Sequence, residues 1–474
     1  MSIRIAAVVI LLLLAFGAAA ALANVADVSP RLLAQYLEKR VDGHNRVIAD
    51  TGRFVARMMR RADRGESVVA SAYPAWTGAH RGSTGNAALA PTVGRAVIVS
   101  TIGELRSALE TALPGDQITL VTGNYQLSGS PLVLSRAGTA DAPILVRSSQ
   151  LGDVTIESTL LEGFQVAAPY WTFENLILRG ACKRDSDCEH AFHITGDGQH
   201  FVARNLVVQD FNAQFKVNGK SGAFPDDGVI ERSTLANSRA RDTDEPVTPV
   251  DIVAASNWRI EGNLIADFAK AGGDQTSYGV FAKGSAAGTR ISRNVVLCEH
   301  ALHPDSGRRV GISLGGGGTE VAACRDGQCI VEHQSGLVGD NLIAGCSDVG
   351  IYLNRAARTM VTRNTVLDTA GVEIRFPESV ADLEGNLLDG PVRVRDGALL
   401  RETDDLGTAA AWLYVGYHPV RAYFVDAPTL DLGWRSSPPL RDSGGAASVD
   451  LCGVARGPRS SYGAFDDIRR CADH

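Results

Sequence analysis

The chain lacks any long block of like charge. Its 46 basic and 53 acidic residues leave a net charge of −7 over 474 positions, which argues against a nucleic-acid tail and against nucleic acid as a partner. Beyond Asn24 it has no apolar run able to span a bilayer. None of its eight cysteines has the two-residue spacing of a zinc knuckle, so a structural zinc site is not expected and no metal ligands are assigned. The stretch LGGGGTE, Leu314 to Glu320, lacks the Lys-Ser/Thr of a phosphate-binding loop. It reads instead as a place of close backbone approach or a loop base.

What is present begins with MSIRIAAVVILLLLAFGAAAALAN. An early arginine, an apolar run and Ala-Leu-Ala ending at Ala23 form the pattern of a secretory signal peptide cleaved after Ala23. The chain is therefore expected to be secreted or periplasmic, with an uncleaved membrane anchor as the alternative. An even number of cysteines suits an oxidising compartment. Spacing suggests Cys182 with Cys188, Cys324 with Cys329 and Cys452 with Cys471, leaving Cys298 with Cys346, although sequence alone fixes no connectivity.

From Ser29 to about Arg64, the residues Leu33, Leu37, Val41, Val47, Ile48, Val55 and Met59 recur at mostly helical intervals. One or two amphipathic helices are expected there, docked as a cap or lying on a membrane surface. The Gly/Ala/Ser/Pro-rich stretch that follows reads as a linker.

Beyond it, short β-rich runs carrying Asn recur about every thirty residues, the mark of a solenoid. They are FENLIL, ARNLVV, EGNLIA, SRNVVL, GDNLIA, TRNTVL and EGNLLD, with Asn175, Asn205, Asn263, Asn294, Asn341, Asn364 and Asn386. Asparagine at a tight turn tolerates unusual backbone angles and can hydrogen-bond along a stack. A second column alternates with them: AFHITG, QFKVNG, PVDIVA, GVFAKG, GISLGG, GIYLNR, GVEIRF and PVRVRD. Side chains alternate faces along a strand, so the second and fourth positions, all apolar from Phe192 and Ile194 to Val392 and Val394, should point inward.

The fold this predicts is all-β, a right-handed single-stranded parallel β-helix with a short N-terminal helical appendage. The expected boundaries are a signal peptide at 1–23, a helical segment and linker at 24–95, the β-helix at 96–400 and a closing segment at 401–474. A monomer is expected. The helix-then-turn stretch TIGELRSALETALPGDQITLVTGNYQL suits a cap over the first coil.

Three stretches resemble secreted β-helix proteins related to chondroitinase B and alginate lyase: ELRSALETALPGDQITLVTGNY with APILVRS, the repeated column, and DLGWRSSPPLRDSG with DLCGVARG and YGAFD. The resemblance runs from about Ala96 to Asp467 and is more specific for fold than for reaction. It implies a polysaccharide lyase that cleaves a uronate-containing glycan by β-elimination. YGVFAKGSAAGTRISRN resembles the family segment whose lysine is the catalytic base, and Lys283 matches that lysine. The family's calcium-binding glutamates would fall where this chain has Tyr278 and Thr276. Calcium is thus implied by the resemblance while its ligands are absent, and no cofactor is predicted from the residues. The family arginine would fall near Ser313, with Arg308 or Arg309 as the available replacements.

If the second and fourth positions face inward, the third and fifth form an outward ribbon. The third positions give His193, Lys216, Asp251, Phe281, Ser313, Tyr352, Glu373 and Arg393; the fifth include Asn218, Lys283, Asn354, Arg375 and Arg395. Strands repeat about 4.8 Å apart, so Lys216, Asp251 and Lys283 should converge within about 10 Å. Such a lining suits an acidic polysaccharide, with lysines for carboxylates and aromatic faces for sugar rings. The expected catalytic set is Lys283 as base, Lys216 or Arg375 neutralising the carboxylate, and Tyr352 or His193 as acid. Asp251, Asn218, Phe281, Asn354, Glu373, Arg308 and Arg309 are the expected substrate contacts.

Two further readings stay open. A non-catalytic glycan-binding or cell-envelope protein fits the missing glutamates. A glycoside hydrolase could use Asp226 and Asp227 of PDDG with Asp251, although the Gly-His-Gly and Arg-Ile-Lys motifs of polygalacturonase-like hydrolases are not found. Nor is the Asp-Pro-His-Asp of mannuronan epimerases. The loop RARDTDEPVTPVD, with Arg239, Arg241, Asp242, Asp244 and Glu245, is either a self-paired solvated loop or else a groove wall or an oxygen-rich cation site.

Overall fold

Alternating burial along short strands sets the architecture. The computed structural model describes residues 27–65, 72–82, 94–304, 306–442 and 448–473; the expected signal peptide lies outside them. Every coil contributes parallel strands to three ladders. Two run from Ala96–Val99 and Gly123–Leu127 and merge into a 21-stranded sheet, because the late strands Val380–Leu388 and Leu399–Gly407 pass through the corner between them. The third is a 10-stranded sheet running from Leu132–Leu134 to Val392–Arg395. This is a parallel β-helix.

The inward positions of the third sheet are buried from Phe192 and Ile194 through Val372 and Ile374. Phe164, Phe192 and Phe215 stack along its axis with successive ring centroids 5.1 Å apart, a separation set by strand spacing. The last coil departs from the pattern. Val392 is partly buried and Val394 is 39% exposed, since no further strand of this sheet covers them.

The bend between the first two ladders carries the asparagines. Asn175 and Asn205 themselves take positive φ, 59° and 51°. In the later coils the left-handed residue is instead the one before the asparagine: Gly262, Arg293, Asp340, Arg363 and Gly385. That shift turns the amide inward, where it is buried. Asn263 donates to Asn294, Asn294 to Asn341, Asn341 to Asn364 and Asn364 to Asn386, at 2.9–3.0 Å. Each amide also donates to a backbone carbonyl of the preceding coil, as Asn263 does to Ile230. Buried polar groups survive only when satisfied, and this ladder satisfies them.

Both helical ends are tied down. Thr101 caps α3 (Ile102–Glu110) by accepting from Glu104 N, while Glu104 accepts from Ser100 N. Its Leu105 and Leu109 close the first coil. At the N-terminus α1 (Pro30–Val41) and α2 (Arg46–Arg64) form a hairpin docked on the solenoid. Arg31, buried, pairs with Asp63 and Asp368 at 2.8 Å each and donates to the carbonyls of Cys346 and Asp368. Arg64 reaches Glu299 at 3.0 Å. Part of the stretch expected to be a linker also lies on the coils: Tyr73 donates to Asp267 and Ala79 N to Thr234.

Four disulfides join Cys182–Cys188, Cys298–Cys346, Cys324–Cys329 and Cys452–Cys471. The closing segment lies along the flank of the second ladder rather than over the open end. Phe424, Leu432, Phe465 and Cys452 cover Leu264, Val295, Leu297 and Leu342, which is why those strands are buried on both faces. No helix among the described residues is long and apolar enough to cross a membrane.

Candidate active site on the third sheet

The register of the third sheet aligns His193, Lys216, Asp251, Phe281, Ser313, Tyr352, Glu373 and Arg393 in one row. Lys216 Nζ meets Asp251 Oδ2 at 2.5 Å, with side chains 22% and 6% exposed. Burial pushes the Asp251 carboxyl up, but Lys216 and then Lys283 outweigh it, and the group sits below the ordinary carboxylate value. Its second oxygen, Oδ1, is buried with no hydrogen-bond partner.

Lys283 lies opposite Val253, beside the Asp251 row. Its Nζ stands 4.4 Å from the centre of the Phe281 ring, a cation–π contact, and makes no hydrogen bond or ion pair among the described residues. Phe281 stacks on Tyr278 at 4.4 Å between centroids. Gly316 of the glycine run packs on the other side, where a Cβ would collide with the Phe281 ring. The close approach expected of LGGGGTE is therefore to this aromatic side chain. The chain has six lysines, and two of them stand on this ribbon.

Calcium does not fit the positions where the resemblance puts it. Thr276 Oγ1 accepts from the Arg308 guanidinium, and Tyr278 is stacked on Phe281 and, like Leu32 of α1, packed against Val310, Val349 and Ala370. A cation there would face an arginine and an aromatic ring.

Upstream, a cluster that sequence reasoning missed joins the ribbon. Glu162 aligns with His190, and Gln165 with His193. His193 Nδ1 is 2.8 Å from Glu162 Oε1 and its Nε2 is 2.7 Å from Asn218 Oδ1. His190 Nδ1 lies 3.7 Å from the same Glu162 oxygen, beyond hydrogen-bond range. The imidazoles of His190 and His193 hold the Glu162 carboxyl well below the usual carboxylate range against its burial. Aligning LEGFQV beneath EHAFHI would have revealed the cluster, since it sets Glu162 beside His190.

Downstream, the charges are already matched. Glu373, buried, is paired with Arg393 at 3.1 Å and Arg395 at 2.9 Å, and Arg375 with Asp396 at 2.5 Å. The Tyr352 hydroxyl accepts from Asn354 Nδ2 at 3.0 Å. Burial raises its pKa, so it keeps its proton at neutral pH. Arg309 is turned away from the ribbon into a buried ion pair with Glu299 at 2.5 Å, and Glu299 also pairs with Arg64 of α2. That removes it as a substrate contact, and leaves Arg308 as the exposed member of the pair.

The carboxylates of PDDG are also engaged. Asp226 is bound by Arg325 at 2.7 and 2.9 Å, and Asp227 accepts from Asn257. Arg239 and Arg241 both pair with Asp185 of an earlier coil, at 2.5 and 2.9 Å. Their loop is pinned to the solenoid rather than paired within itself. Two cavities lie off the ribbon, one under the closing segment between Glu299 and Leu430 and one beside Met360 and Arg401.

Comparison with known proteins places this geometry in context. No family model and no curated protein matches the chain. Among solved structures it is similar to pectate lyase Pel9A, with TM-score 0.51 and 13% identity over 80% of this chain and 98% of that one. An alginate lyase from Paenibacillus sp. str. FPU-7 has TM-score 0.39 and 16% identity over 66% and 99%. The catalytic unit of a GH87 α-1,3-glucanase from Streptomyces thermodiastaticus strain HF3-3 has TM-score 0.41 and 12% identity over 67% and 62%. The last two superpose too loosely to carry an argument. The first shows a shared fold: the chain has the parallel β-helix architecture of a polysaccharide lyase.

Proposed function

We propose that this is an exported polysaccharide lyase-like enzyme that cleaves a uronate-containing acidic glycan by β-elimination at the Lys216–Asp251–Lys283 row. The carrying observation is Lys283, whose amine stands over Phe281 with no hydrogen bond or ion pair among the described residues, beside a buried carboxylate with an unpartnered oxygen. Phe281 and Tyr278 offer an aromatic surface for a sugar ring. Lys216 spends one of its three donors on Asp251 and has two left for the uronate carboxylate. Four disulfides support export, since such bonds persist in oxidising compartments.

In this reading the Lys283 ammonium first releases a proton to solvent, and the freed amine lone pair removes the proton from the carbon next to the carboxylate. The C–H electrons form the new C=C bond, and the glycosidic C–O bond breaks toward the leaving oxygen. Tyr352 supplies that oxygen's proton: its hydroxyl oxygen accepts from Asn354, so its own proton is free to point to the leaving group. The Tyr352 strand lies two register steps from Phe281, about 10 Å, room for a sugar ring.

The test is incubation with pectate, alginate, chondroitin and heparinoids while following ultraviolet absorbance of the unsaturated uronate, which only elimination creates. Wild-type protein should give the signal with at least one polymer, and Lys283→Ala should not. New reducing ends without absorbance would establish hydrolysis instead, and binding without either product would establish a glycan-binding role.

A further inference from the structure

We propose that Glu162, His190 and His193 form a binding site for a divalent transition metal, with Zn²⁺ as its probe. Their ligand atoms all lie within 4.8 Å of one another. Two imidazoles and one carboxylate are the donor set that such ions take, whereas Ca²⁺ and Mg²⁺ prefer oxygen alone. Zinc–ligand bonds of about 2.0–2.2 Å in tetrahedral geometry need ligand atoms about 3.3 Å apart. The Glu162 oxygen stands 2.8 Å from His193 Nδ1 and 3.7 Å from His190 Nδ1, bracketing that value.

Two independent features point to a ligand among them. His190 is 8% exposed, and its Nδ1 is buried without a hydrogen-bond partner. An orphaned ring nitrogen facing a carboxylate is a costly arrangement unless something accepts its lone pair. His193 carries the second signal. Asn218 Nδ2 donates to Gly219 O, which fixes the amide and presents Oδ1 to His193 Nε2. That nitrogen must therefore carry the proton, and Nδ1 is left facing Glu162. A lone pair aimed at a carboxylate oxygen calls for a cation between them, whether a proton or a metal.

The surroundings match the support that metal ligands receive. Asn218 plays the part of the outer carbonyl that sets an imidazole's tautomer, and Gln165 Nε2 donates to the free Glu162 oxygen at 2.5 Å. Three protein ligands leave a further position open to an oxygen donor. His193 is one register step from Lys216, whose charge Asp251 offsets, so the ion would add positive charge to the upstream end of the ribbon. Metal binding here does not depend on the elimination chemistry.

The test uses tag-free full-length protein stripped with a chelator. Titration calorimetry with Zn²⁺, elemental analysis after dialysis, and the visible spectrum of the Co²⁺ form should show one equivalent in a four-coordinate nitrogen–oxygen site. Glu162→Gln and His190→Gln should each abolish that equivalent, with circular dichroism verifying the fold. Gln165→Ala should keep the site but weaken it about 10–100-fold. Wild-type protein that takes up no Zn²⁺ would overturn the proposal, leaving a protonated His193 paired with Glu162. So would uptake unchanged in both ligand variants.

Discussion

The two halves of the outward ribbon share one register and one strand geometry, yet they treat charge differently. From Tyr352 to Arg395 each charged group has an ion-pair partner, Glu373 with Arg393 and Arg395 and Arg375 with Asp396, although Asn354 Oδ1 and Arg395 Nε are buried without hydrogen bonds there. Near it, Leu32 of α1 and Tyr352 both pack against the cluster of Val310, Val349 and Ala370. From Glu162 to Lys283 the pairing is incomplete. Asp251 Oδ1 and His190 Nδ1 are buried without hydrogen bonds, and Lys283 has an aromatic ring for its neighbour. A solenoid that can saturate its surface charges in one half and leaves them open in the other marks where a ligand completes the set.

The sharpest way to break this contrast is to remove Lys283. Lys283→Ala should lower the rate of unsaturated-product formation about 10²–10⁴-fold, the range for losing a general base, without shifting the thermal midpoint. Arg375→Ala, on the saturated half, should leave product formation within about tenfold of wild type.

Next in size is the clamp that holds the hairpin. Arg31→Ala leaves Asp63 and Asp368 buried without their shared cation, a loss of about 3–5 kcal/mol. Limited proteolysis should then release α1 and α2 while the solenoid stays folded.

Smaller effects compare the two carboxylates directly. Asp251→Asn leaves the Lys216 ammonium partly buried and unpaired, at a cost of about 2–3 kcal/mol, below the fully buried case because Lys216 can reach water. Glu373→Gln should cost about 1 kcal/mol, since Arg395 keeps Asp396 as a partner at 3.6 Å and both arginines stand on the last strand, which no further strand of the sheet covers. Urea denaturation of both variants measures the difference.

The smallest effect is a slope. Asp251 is held below its ordinary value of 3.8, so the folded state binds that proton less readily than the unfolded state. The stabilisation is fully present above pH 3.8 and is lost as pH falls through the lower folded value. Acid denaturation of Asp251→Asn should lack this component.

Much of the fold was legible because a parallel solenoid writes itself locally. The paired apolar positions of each run landed inside in every coil but the last, where Val392 and Val394 lack a covering strand. The asparagines announced the stack, although the left-handed residue moved one place earlier in five coils, which their spacing could not reveal. The ribbon's register followed from the same alternation, so Lys216, Asp251 and Lys283 could be grouped before any coordinates. What stayed hidden depends on contacts between distant segments. Arg31 meets Asp368 across 337 positions, and Arg309 turns inward to Glu299, which Arg64 of the hairpin also reaches. Glu162 and His190 lie just outside the runs that define the repeat, so their meeting with His193 emerged only with the strand register.

The most direct test is a crystal structure of Lys283→Ala soaked with short oligouronates of the polymer that the wild-type protein cleaves. The account predicts a sugar ring on Phe281 and Tyr278, with its carboxylate against Lys216 and its reacting carbon facing the position of the missing amine. An oligosaccharide bound instead over Glu373–Arg395, or over the closing segment, would contradict it.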